Sequence, residues 1–75
     1  MRVENISRVE GIGTQVVISI RKGMDETLDP NSPRWRTTAK ILKRDYNIEG
    51  EFVGVDIQPV SFLIQVQFSF KEKES

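Results

Sequence analysis

A two-layer α+β domain, one helix on a sheet of three or four strands, is the fold this sequence predicts. Three observations carry it. Residues 14–21 and 61–70 alternate apolar and polar side chains, the period of a half-buried strand. Residues 33–46 repeat apolar side chains at helical spacing behind a Ser-Pro start. Clusters of Gly, Pro, Asn and Asp separate these runs. The element order is therefore β-β-α-β-β. It permits a β-grasp-like arrangement, in which a right-handed crossover creates a parallel pair, or an antiparallel meander with the helix laid across it.

The first run, residues 2–10, places Val3, Ile6 and Val9 three apart, so strict alternation fails. A strand with a bulge, or a loose edge strand, fits that spacing. Gly11-Ile12-Gly13 is a turn signal, and residues 14–21 follow as a strand with Val16, Ile18 and Ile20 on one face. Lys22 to Pro33 is rich in loop formers, among them Gly23, Asp25, Glu26, Asp29, Pro30 and Asn31. At about a dozen residues it is long for a connection in so small a domain.

The helix is predicted from Pro33 to Tyr46. Ser32 is an N-cap residue, and Pro33 suits the first helical position because its missing N–H has no partner to lose there. Trp35, Ala39, Leu42 and Tyr46 form a single stripe that Thr38 and Ile41 widen, and Asn47 can end the helix in the left-handed region. After Gly50, residues 51–58 read as a strand with Val53, Val55 and Ile57 on one face and Phe52, Gly54 and Asp56 on the other, broken at Gln58-Pro59. The last strand sets Phe62, Ile64, Val66, Phe68 and Phe70 against Leu63, Gln65, Gln67 and Ser69.

The chain has 75 residues, room for one domain, assigned to residues 1–70 with a solvated tail over 71–75. Its hydrophobic content is 37%, leaner than the roughly 45–50% of an average domain when glycine is counted. A single core this small supplies only about 3–5 kcal/mol, and self-association as a homo-oligomer is a natural source of further burial. The N-terminus carries Arg2, Glu4, Arg8 and Glu10 with no apolar stretch, so no signal peptide is expected. No run approaches the roughly 20 apolar residues of a membrane helix, and a cytoplasmic protein without membrane partners is the expectation.

Eleven cations balance eleven acids, so this is no bulk polycation that coats nucleic acid. The sequence contains no His and no Cys, which removes thiol and imidazole catalysis, disulfides, and the usual zinc, haem and iron–sulfur ligation. No cofactor and no catalytic residue is assigned. Gly11 and Gly13 lack the third glycine and following helix of a phosphate loop, and Glu49, Glu51 and Asp56 form no acid–base pair beyond ordinary solvated charge.

What stands out is the segregation of charge. Residues 33–46 hold Arg34, Arg36, Lys40, Lys43 and Arg44 against the single acid Asp45. Arg36, Lys40, Lys43 and Arg44 follow helical spacing away from the Trp35 stripe. Such a face is what any exposed helix shows when it is merely solvated. It also fits an acidic protein partner or the phosphates of a nucleic acid. Trp and Arg dominate protein–protein hot spots, which places Arg34, Trp35 and Arg36 among the candidate partner contacts. The loop acids Asp25, Glu26 and Asp29 are turn formers, lack the spacing of a calcium loop, and could complement the basic helix of another copy. The function expected is that of a small, non-catalytic regulatory or adaptor module that binds protein through a basic helix face. Nucleic-acid binding through the same helix is the alternative.

Overall fold

Both runs of clean alternation become central strands, because only a central strand has a neighbour on each side and one wholly covered face. The computed structural model describes residues 2–21 and 29–72. Strand β1 is Arg2–Val9, β2 is Gly13–Arg21, helix α1 is Pro33–Tyr46, β3 is Glu51–Val60 and β4 is Leu63–Lys71. The four strands form one sheet in the order β1-β2-β4-β3, and every pairing is antiparallel. The α+β fold with one helix on a sheet is therefore what forms. Among the described residues no strands pair in parallel, so the antiparallel alternative applies and the β-grasp-like one does not. It departs from a plain meander in that β4 and not β3 lies beside β2. The chain leaves β2, crosses one face through α1, enters at the far edge as β3 and turns back to fill the gap with β4.

The edge strands are the irregular ones. In β1 the register shifts between Val3 and Asn5, so the bulge anticipated from the failed alternation sits at Glu4. In β3 the register shifts between Phe52 and Gly54. That extra residue corrects the facing read from sequence: Val53 turns outward at 65% exposure, while Phe52 joins Val55 and Ile57 against the core. Strand β3 also runs through Pro59 instead of ending before it, since an edge strand tolerates a residue without an N–H.

Phe62 is a second correction. Ser61 and Phe62 make the two-residue turn between β3 and β4, so Phe62 is 85% exposed and not part of the core stripe. Ser61 has φ 56° and Phe62 does not share a positive value, the pattern of a hairpin turn strained only at its first central residue.

The core lies between α1 and one sheet face: Val16, Ile18, Ile64, Val66, Phe68 and Phe70 below, Trp35, Ala39, Leu42 and Ile48 above. Trp35 meets Phe68 edge-on at 6.1 Å, and Phe52 packs on Phe68 and Phe70 at 5.9 and 5.7 Å. Tyr46, expected in the helix stripe, is 44% exposed instead, and Ile48 beyond the helix takes its place at 4%. The helix end explains the exchange. Asn47 adopts the left-handed conformation, φ 52° and ψ 47°, its N–H bonds to the Lys43 carbonyl, and the N–H of Ile48 reaches the same oxygen at 3.0 Å. The chain is thereby reversed so that Ile48 points back under the helix. At the other end Ser32 occupies the cap position, but its side chain makes no capping bond. Asn47→Ala is expected to cost about 1 kcal/mol, because alanine tolerates the left-handed region less well than asparagine. A urea titration followed by circular dichroism measures it, and an unchanged midpoint would remove the role given to this cap.

Candidate functional site

Helix α1 is the element on which the sequence concentrates cations, and its burial decides which of them face outward. Trp35, Ala39 and Leu42 are turned into the core. With about 100° between successive residues, Arg36, Lys40, Lys43 and Arg44 fall within about 100° of arc on one side of that buried stripe. At about 1.5 Å per residue the row from Arg36 to Arg44 is about 12 Å long. Arg36, Lys40 and Arg44 are exposed and Lys43 is half-buried. Arg44 pairs with its neighbour Asp45 at 3.1 Å, both groups largely solvated. Such a pair contributes little and leaves the arginine free to exchange partners. Arg36, Lys40 and Lys43 form no ion pair among the described residues. Lys43 shares a shallow cleft with Glu49, Gly50 and Glu51.

The remaining predicted contacts separate. Arg34 lies on the opposite flank, its guanidinium 4.7 Å from the Trp35 ring centre. Trp35 itself is 1% exposed and has no surface to offer a partner, which corrects its place among the candidate contacts. Its indole N–H donates to the Asp29 carbonyl at 2.9 Å, fastening the start of the helix to the loop before it. Of the loop acids, Asp25 and Glu26 lie outside the described residues. Asp29 serves the loop's own geometry: its carboxylate accepts the Asn31 N–H at 2.9 Å and its carbonyl also accepts the Ser32 N–H at 3.1 Å.

A second feature was not legible beforehand, because its walls come from four separate stretches of chain. At the foot of the first hairpin a cleft of about 360 Å³ is lined by Arg8, Glu10, Thr14, Glu49 and Glu72 among others. Glu72 also ties down the adjoining turn: its carboxylate accepts the Gly11 N–H and its own N–H donates to the Ile12 carbonyl at 3.1 Å. Arg8 and the carboxylates of Glu10, Glu49 and Glu72 share the lining of the cleft, a mixed-charge rim. Among the described residues no group of acids is placed to hold a metal ion.

The exposed sheet face bears on nucleic acid. Its central positions carry Gln15, Val17 and Ser19 beside Ser69, Gln67 and Gln65, with no aromatic platform for a base. Phe52, which strict alternation would place on that face, is turned to the core. Among the described residues no helix is long and apolar enough to cross a membrane. No protein-family model, no curated protein and no solved structure matches this chain.

Proposed function

We propose that this chain is a small, non-catalytic interaction module that docks on an acidic protein surface through Arg36, Lys40, Lys43 and Arg44. The observation that carries the reading is that row of cations, fixed on one side of a helix whose other side is locked by Trp35, Ala39 and Leu42. A rigid helix presents charge without an ordering cost at the moment of binding, and charge complementarity of this kind accelerates encounter and sets orientation. Arg34 lies outside the row. A regulatory or adaptor role inside the cell, and self-association in support of a small core, belong to the same reading.

Nucleic acid through the same helix is the second reading. The helix lies along the sheet, so its flank and not its end would meet phosphates, which supplies affinity without base recognition.

The test changes all four cations, as Arg36→Glu, Lys40→Glu, Lys43→Glu and Arg44→Glu. Capture from lysate with the unaltered chain is expected to retain acidic proteins that the variant loses and that elute as salt rises. Retention of every partner by the variant would reduce the row to a solvated face. Fluorescence anisotropy with generic duplex DNA and single-stranded RNA separates the second reading. Steeply salt-dependent binding there, lost in the variant, would transfer the helix to nucleic acid.

A further inference from the structure

Only one face of the sheet is covered by the helix, and the register fixes what the other presents. Along β2 the outward residues are Gln15, Val17 and Ser19. Along β4 they are Gln65, Gln67 and Ser69, set beside them as Ser19↔Gln65, Val17↔Gln67 and Gln15↔Ser69. Gln58 of β3 adjoins Gln65 and Asp56 adjoins Gln67. The two central strands therefore carry no charge on this face between their ends, in a chain of which 29% is charged. The charges lie around it. Arg2 and Arg21 stand at one end, Glu51 opposite Lys71 at the other, and Asp56 on the edge strand. The rim is also compensated locally: Arg2 lies 3.5 Å from Glu4, whose carboxylate accepts the Ser19 hydroxyl at 2.8 Å. At the Arg21 end the surface turns apolar, with Val60 and Leu63 paired at 41% and 42% exposure and Phe62 just beyond them.

We infer that this sheet face, uncovered among the described residues, is a self-association surface, occupied by a second copy of the chain in a two-fold, face-to-face stack. A centre without charge, apart from the Glu4 carboxylate held by Ser19 toward one end, inside a charged rim is the layout of a protein interface. A two-fold stack points the occupant to a second copy, because it brings a patch against itself. A charge at its centre would meet its own sign, whereas an amide donates and accepts in the same contact and pairs with its own kind. Size agrees. Four strands about 4.8 Å apart and nine residues long at about 3.3 Å each cover roughly 570 Å² in flat projection. Side-chain relief raises that toward the roughly 800 Å² per partner of a standard interface. The stack would cover the half-exposed Val17, Gln65 and Gln67 and bring Val60 and Leu63 out of water.

The inference rests on the self-association part of the proposed reading and is independent of the helix. Sedimentation equilibrium of the chain across a wide concentration range is expected to show a monomer–dimer equilibrium. Gln65→Lys with Gln67→Lys, and separately Gln65→Glu with Gln67→Glu, are each expected to weaken it by about tenfold or more. Mixing the two variants in equal amounts is expected to restore the dimer, which also shows that both have folded. The four-fold helix variant is expected to dimerise as the unaltered chain does. A chain that remains monomeric at the highest concentration overturns the inference. So does a dimer indifferent to both double substitutions, in which case self-association stands but uses another surface. Loss without rescue on mixing overturns the face-to-face arrangement.

Discussion

Trp35→Ala is expected to leave the isolated domain largely unfolded at room temperature. Truncating a buried Trp or Phe removes about 3–5 kcal/mol, and a single core of this size has about 3–5 kcal/mol to lose. Trp35 is among the largest fully buried side chains, rests edge-on against Phe68 and ties the helix start to Asp29 through its indole N–H. Far-UV circular dichroism of the variant should show the loss of native signal, with a urea titration of the unaltered chain as reference. Trp35→Phe separates the contributions. It keeps an aromatic ring near Phe68 and gives up the hydrogen bond, so a loss of about 1–2 kcal/mol is expected. A cooperative, near-wild-type transition in Trp35→Ala would show that the helix is not anchored where the core places it.

Gly13→Ala is the other large effect. Gly13 opens β2 at φ 146°, and a methyl group built there would run into the carbonyl oxygen of Phe70. Backbone cannot swing aside as a side chain can. The start of β2 would have to separate from the end of β4, at the point where Glu72 binds the loop through Gly11 and Ile12. The expected loss is about 3 kcal/mol or more, from backbone strain and the broken ladder together. Two other glycines calibrate it. Gly11, φ 82°, has open space around it, so Gly11→Ala should cost only the positive-φ penalty of about 1 kcal/mol. Gly54 has neither crowding nor positive φ, and Gly54→Ala should change stability by no more than about 0.5 kcal/mol. Equal effects at all three positions would mean that the approach of β2 to Phe70 does not limit the fold.

The two surfaces proposed for binding differ in how they respond to the same solution. The helix row acts through charge in contact with water, so its contribution should fade as salt screens it over about 8–10 Å. The sheet face acts through uncharged contact, so its self-association should change little over the same range. Salt therefore separates them without any substitution.

Much of this protein was fixed by local sequence. Residues 33–46 had to form an amphipathic helix, since Pro33 opens it, Asn47 closes it, and Trp35, Ala39 and Leu42 repeat at its period. Arg36, Lys40, Lys43 and Arg44 consequently had to fall together to one side of that stripe, and this row could be read residue by residue beforehand, whereas Arg34 falls on the other flank. The central strands were equally legible, because a strand covered on one face alternates without interruption. Even the irregularity of residues 2–10 carried information, since bulges belong to edges. What sequence could not supply was anything set by contact between distant segments. A single bulge at Val53 exchanges the faces of Val53 and Phe52, and no local preference announces it. Phe62 continued the apolar alternation perfectly and still became the hairpin turn, because Val60 pairs with Leu63 across it. Tyr46 and Ile48 exchanged places at the turn made by Asn47. Strand order, the mixed-charge cleft beside Arg8 and the uncharged bare face all arise from pairing across the sheet. Periodicity states which residues share a side of one element, whereas only tertiary packing decides which elements become neighbours and which side is left uncovered.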